Sequence, residues 1–289
     1  MEILNEQKYL RRNHFIKIMD PTSELTEKLS EKLENIEKEY QRIVKNSKSV
    51  TDLDLLSSNN NIVEEFNDFT IETNGNFIID ASCFPKRFFF PFVKLALYDS
   101  RIKNLLITYG TPISYARNEL SEDPEPWDHL PLFGPVKFPE SKPDHALVGV
   151  GFIPFGLSKL LKDKYSSIPV NFFFPFPPGA PHYQRSLEFL RTIETSYKFK
   201  DEDNIIRVNS VDISDVFNHI KSITENGNEH AIFAPYGPKP MSIAMAIYAS
   251  IFDCPVYYTQ PKKYNPNYST GKGKIFAYLL KQNGSNLYY

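Results

Sequence analysis

Residues 231–264, AIFAPYGPKPMSIAMAIYASIFDCPVYYTQPKKY, decide how this chain is read. A short apolar run (Ala231–Ala234) meets a turn, then Pro238-Lys239, an apolar helical stretch (Pro240–Phe252) and a second short run (Pro255–Tyr258). Strand, helix and strand at this spacing form the βαβ unit of a parallel sheet. Residues 77–115, FIIDASCFPKRFFFPFVKLALYDSRIKNLLITYGTPISY, repeat the layout. Phe77–Asp80 reads as a strand, Pro85-Lys86 opens a helix reaching Tyr98, and Asn104–Tyr109 forms the next strand. Each segment then closes on Tyr-x-x-Pro-x-x-Tyr: Tyr109, Pro112 and Tyr115 in one, Tyr258, Pro261 and Tyr264 in the other. Chance is the competing explanation, since proline is common at helix starts and tyrosine is abundant here.

Between and after these segments the alternation continues. Strands are expected at Ala146–Phe152, Val170–Phe174, Ile205–Val208 and Lys274–Leu280, with helices near Gly156–Tyr165, Tyr183–Ile193 and Ser214–Asn226. The last strand follows a loop rather than a helix, which suits an antiparallel edge. The fold expected is α/β and Rossmann-like, a mostly parallel, doubly wound sheet, over residues 61–289. Residues 1–60 read as an N-terminal helical extension and linker. Asp20-Pro21 opens a helix over 20–46, with Leu25, Leu29, Leu33, Ile36, Tyr40 and Ile43 on one stripe, and Ser57–Asn61 is the linker.

Composition narrows the function. Thirty-three Lys and Arg against 35 Asp and Glu give a net charge of −2, so no whole-protein basic field supports nucleic-acid binding. Two cysteines build no disulfide framework, and no Cys/His spacing suits zinc. No apolar run has membrane-spanning length, which predicts a soluble cytoplasmic protein. No cofactor is called for.

In α/β sheets ligands sit at the carboxyl ends of strands. The candidate ligand-binding residues there are Lys86, Arg87, Tyr109, Tyr115, Gly237, Lys239, Tyr258, Tyr264 and Lys272. Lys239 places a cation where the helix dipole is already positive, an arrangement an anionic ligand would offset. A solvated lysine is the alternative. Gly237 supplies a positive φ or a close backbone approach. The tyrosine loops offer faces for a base, or simply pack their own loops. Lys272, in YSTGKGK, lies in a polar loop able to close on phosphate, but the order of residues is not a Walker A motif. Gly149-x-Gly151 with Gly156 is an incomplete dinucleotide fingerprint. For catalysis the candidates are Asp80, at a strand end, and His182 as a general base; the competing role for Asp80 is a turn or cap.

Gly237-Pro-Lys239-Pro-Met241 and the helix SIAMAIYAS resemble the CRISPR-associated Rossmann-fold (CARF) domains, whose Gly-Thr-Lys-x-Met turn precedes a helix packed in a homodimer. Pro238 stands where that motif has threonine, and Tyr236 replaces a glycine. The first half is similar to Rossmann-like proteins that accompany bacterial defence systems. The resemblance implies a sensor binding a cyclic oligonucleotide across a two-fold axis, with Lys239 and the turn amides on phosphates. The function expected is therefore sensing of a nucleotide or phosphorylated ligand in antiviral defence or signalling. The alternatives are an enzyme acting on a nucleotide or phosphoester, and a structural subunit. The partners expected are the ligand and a second chain, another copy or a protein docked through residues 20–46.

Overall fold

The computed structural model describes residues 14–21, 26–43, 49–116, 121–135, 142–176, 183–265 and 267–289. The chain is a mixed α/β protein with several sheets. It begins with β1 (His14–Met19), α1 (Thr26–Ile43) and β2 (Ser49–Asp54), and β1 pairs with β2 in parallel from His14↔Ser49 to Met19↔Asp54. The expected helical extension is thus the crossover of a small βαβ unit. Its strand HFIKIM carries Lys17 in mid-run, which interrupts the apolar pattern. Part of the helix stripe docks within the chain: Tyr40 stacks on Phe15 with ring centres 5.0 Å apart, and Glu37 accepts from Lys17 at 3.2 Å. Ile36 remains 46% exposed.

The expected linker at Ser57–Asn61 is the start of α2 (Asn59–Glu72). Ser58 caps it, its hydroxyl accepting from the Asn61 N–H at 3.3 Å. His14 and Glu65 pair between β1 and α2, each with only 8% of its side chain exposed.

Next come β3 (Asn76–Asp80), α3 (Lys86–Tyr98) and β4 (Asn104–Gly110), with β3 parallel to β4. The segment between β4 and the next long strand holds β5 (Ser114–Tyr115), β6 (Ser121–Pro124) and β7 (Asp128–His129). The second half runs β8 (His145–Gly149), α4 (Leu157–Asp163), β9 (Val170–Pro175), α5 (Tyr183–Glu194), β10 (Asn204–Val208), α6 (Ile213–Ile223), β11 (Ala231–Pro235) and α7 (Lys239–Ile251). It ends with β12 (Tyr257–Tyr258), β13 (Pro261–Tyr264), β14 (Ser269–Thr270), β15 (Ile275–Gln282) and β16 (Ser285–Asn286).

In place of one doubly wound sheet, the principal strands form two four-stranded sheets. The first, ordered β16-β15-β4-β3, is mixed, because β15 pairs with β4 antiparallel. The second, β10-β9-β8-β11, is wholly parallel. Strands β8, β9 and β11 are buried along nearly their whole length, as a sheet layered between helices requires, while β10 at the edge is largely exposed. Leu147, Phe173 and Phe233 enter one core with α6 and α7, while Val148, Phe172 and Ala234 enter another with α4 and α5. The short strands stitch loops to loops: β12 to β7, β13 to β6 and β14 to β5, all antiparallel.

The repeated segments fold alike and pack together. β3-α3-β4 is one βαβ unit; β11 and α7 lead to Val256, which bridges Phe233 in parallel, to form the other. Helix α7 is apolar on every side and buried from Pro240 to Ser250, so it lies inside the protein. The resemblance implies a second copy against this helix. Its neighbours here are α3 and α6 of the same chain.

Asp20, after β1, takes a hydrogen bond from the Tyr264 N–H, yet burial raises its carboxyl to about 6. A folded value above the unfolded one (about 4) means that the native state holds the extra proton in between. Stability therefore falls as pH rises from about 4 to 6 and is not regained above. Asp20→Asn is expected to stabilise the protein at pH 7 by about 1 kcal/mol after allowing for partial exposure, read as a higher urea midpoint, and to flatten this slope.

Candidate functional site

The two turns after β3 and β11 meet. Pro85 and Pro238 open α3 and α7 with nearly the same backbone, φ −61°, ψ 150° and φ −61°, ψ 159°. The following lysines exchange bonds between the two turns. Lys86 Nζ donates to the carbonyl of Gly237, before Pro238, at 2.9 Å, and Lys239 Nζ donates to the carbonyl of Phe84, before Pro85. Each ammonium also lies over an aromatic ring, Lys86 5.2 Å from the centre of Tyr258 and Lys239 5.0 Å from that of Phe89.

The electrostatics are unbalanced. Neither helix has a side-chain cap bond or an acidic residue in its first turn, so two positive dipole ends converge with two ammonium groups. No carboxylate forms an ion pair with either lysine among the described residues. Burial lowers Lys239 to about 8, with Cys83 and Asp80 pulling the other way. Burial also drives Lys86 well below its ordinary range, and the charge of Lys239 adds to the fall.

Gly237 belongs to this joint by close approach. It is not among the positive-φ glycines, and a Cβ on it would lie 2.5 Å from Met241 Sδ and 3.3 Å from the Val150 carbonyl. Gly149 and Gly151 face the same turn, where Tyr236 and Gly237 fill the space a dinucleotide cradle would need. Tyr258 joins the site beneath Lys86, with Tyr236 5.3 Å away, ring to ring.

Other candidates lie elsewhere or are occupied. Asp80 caps its own turn: one carboxylate oxygen accepts from the Ser82 N–H at 3.0 Å and hydroxyl at 2.6 Å. That hydroxyl takes the Gly110 N–H at 2.8 Å, tying β3 to the end of β4. Arg87 turns towards the Leu56 and Ser57 carbonyls, at 3.5 and 3.0 Å, and so braces the entry to α2. Tyr264 accepts from the Gln260 amide at 2.9 Å. Lys272 is exposed in the loop between β14 and β15. His182 lies outside the described residues.

Tyr109 is buried at the end of β4 and hydrogen-bonded to Tyr115. Burial pushes both phenols up. Tyr115 in turn meets Phe152 and Tyr268 edge-on, at 5.3 and 5.6 Å, and the Arg185 guanidinium lies 5.4 Å from the Phe152 ring centre. Phe152, Arg185 and Tyr268 come from three separate loops or helix starts, so no local pattern could have grouped them. A cavity of about 450 Å³ opens further along α3, lined by Asn59, Lys94, Tyr98, His129 and Leu132. Its Lys94 is already held by Asp253 at 3.2 Å and by the Leu132 carbonyl at 3.1 Å.

This geometry defines a mixed α/β protein in which the two repeated βαβ segments join through paired lysines at converging helix starts. The chain matches no protein-family model and no curated protein sequence. No helix of the described residues is long and apolar enough to cross a membrane, and none of their His, Cys, Asp and Glu side chains group as metal ligands.

Proposed function

We propose that this chain is a cytoplasmic ligand sensor, two Rossmann-like halves joined in one polypeptide, binding a nucleotide or other phosphorylated ligand in antiviral defence or signalling. The observation that carries this reading is the lysine pair. Two ammonium groups and two uncapped helix starts meet without a carboxylate in ion-pair contact among the described residues. A phosphate would supply the missing negative charge and accept from both lysines. Tyr258, beneath Lys86, is the aromatic group at the pair, and the half-buried Tyr115 is a further face for a base. Defence or signalling as the setting comes from the CARF-like turn at residues 237–241, and a second copy remains a candidate partner outside this internal joint.

Lys239→Ala is expected to weaken binding of such a ligand by roughly 10- to 100-fold, the worth of one charge-assisted hydrogen bond. The measurement is calorimetric titration with a panel of mono-, di- and cyclic nucleotides, with circular dichroism to verify folding. Unchanged affinity in the variant would remove the lysine pair from the site. Asp80→Ala is expected to leave that affinity nearly intact, because its carboxylate is spent on Ser82.

A further inference from the structure

The lysine pair is positioned to do more than attract charge. Lys86 and Lys239 each donate to a backbone carbonyl, and a neutral amine keeps an N–H to donate there, although more weakly than an ammonium. Both side chains are half-buried at the facing helix starts, and the charge of Lys239 acts on Lys86. The groups facing them are Asp80 and Cys83 from the first turn, with Lys32 of α1 acting on Cys83. On the aromatic side lie Tyr258 beneath Lys86 and Phe89 beneath Lys239. None of these forms an ion pair with either lysine among the described residues, so the empty site gains by shedding a proton. An anion between the lysines reverses that preference.

We infer that anion binding at the Lys86–Lys239 pair is coupled to uptake of a proton from solvent, so that the site holds its ligand at neutral pH and releases it in mildly alkaline solution. This rests on the sensor reading above and adds its regulation. With Lys239 titrating near 8, the binding-competent fraction falls about tenfold between pH 7 and pH 9, and the apparent affinity falls with it. Lysine is suited to this role because burial shifts its titration so readily; an arginine would stay charged throughout.

The test uses sulfate, whose own charge is constant over this range, in equilibrium dialysis of the full chain at fixed ionic strength. Wild-type affinity is expected to drop about tenfold from pH 7 to pH 9, while Lys239→Arg holds sulfate nearly equally at both. Sulfate bound at pH 6.5 in a Lys239-dependent way but with the same affinity at pH 9 would overturn the coupling and leave the anion site standing. No Lys239-dependent binding at pH 6.5, where both lysines are most fully charged, would overturn the anion site itself. Should Lys239→Arg fail to fold, calorimetry of sulfate binding to the parent protein at pH 8 in buffers of different ionisation enthalpy reads the same coupling, and binding without net proton uptake would overturn it.

Discussion

Gly151→Ala is expected to destabilise the protein by about 3 kcal/mol or more, the upper range for an overpacked interior. A Cβ at this position would lie 2.0 Å from the Tyr236 carbonyl oxygen and 2.8 Å from its carbon. Both are backbone atoms, and neither can swing aside as a side-chain tip would. The Tyr236 side chain is anchored as well, its hydroxyl bonding the Phe155 carbonyl at 2.7 Å and the Thr259 hydroxyl at 2.8 Å. The only relief is to push the whole turn away from β8, which moves the Gly237 carbonyl that Lys86 holds. The variant should therefore lose stability and ligand affinity together. Urea unfolding followed by tryptophan fluorescence measures the first. Gly237→Ala is the contrast, because its nearest obstacle is the flexible Met241 sulfur, and a smaller loss is expected. Equal stability of Gly151→Ala and the parent would show that the turn and the end of β8 are less tightly joined than their contacts indicate.

What could be read from the sequence follows the range over which its signals act. The βαβ units at 77–115 and 231–264 were legible because a strand, a Pro-Lys helix start and a second strand are each local patterns. Their partnership was not. The lysines bridge 151 and 155 residues to reach Gly237 and Phe84, and nothing near either turn records that distance. The division into two sheets was hidden for the same reason, since strand order is a property of pairing rather than of any strand. Short strands such as Asp128–His129 carry too little periodicity to be seen, and exist because Tyr257 and Tyr258 supply their hydrogen bonds. Tyr258 lies beneath Lys86, a lysine from the other half. Arg87, beside Lys86, reaches the Leu56 and Ser57 carbonyls instead, because a helix turns neighbours to different faces.

Lys281 shows how an unreadable position can matter as much as a legible one. Its strand, β15, alternates exposed and covered side chains from Ile275 to Leu279, then buries Leu280 and Lys281 in succession. A register shift against β4 between Leu279 and Lys281 breaks the alternation and turns the lysine inward. There its ammonium donates to the carbonyls of Ala96, Leu97 and Asp99 at 3.3, 3.1 and 2.9 Å. Ala96 and Leu97 belong to the last turn of α3, whose carbonyls have no partner within the helix and carry the negative end of its dipole. No basic residue of α3 itself occupies that last turn, so the strand supplies the cation from outside. Lys281→Met keeps the apolar stem and removes the donor, leaving carbonyls at a buried helix end unsatisfied. A loss of about 3 kcal/mol is expected, from hydrogen bonds to a charged group and the dipole together. Because α3 also carries Lys86 at its other end, the same variant tests how rigidly the helix spans the protein. Chemical denaturation should show a lower midpoint with an unchanged slope, and nucleotide affinity should hold wherever the folded state persists. A weakened ligand site in a fully folded Lys281→Met protein would mean that the C-terminal anchor of α3 sets the position of Lys86.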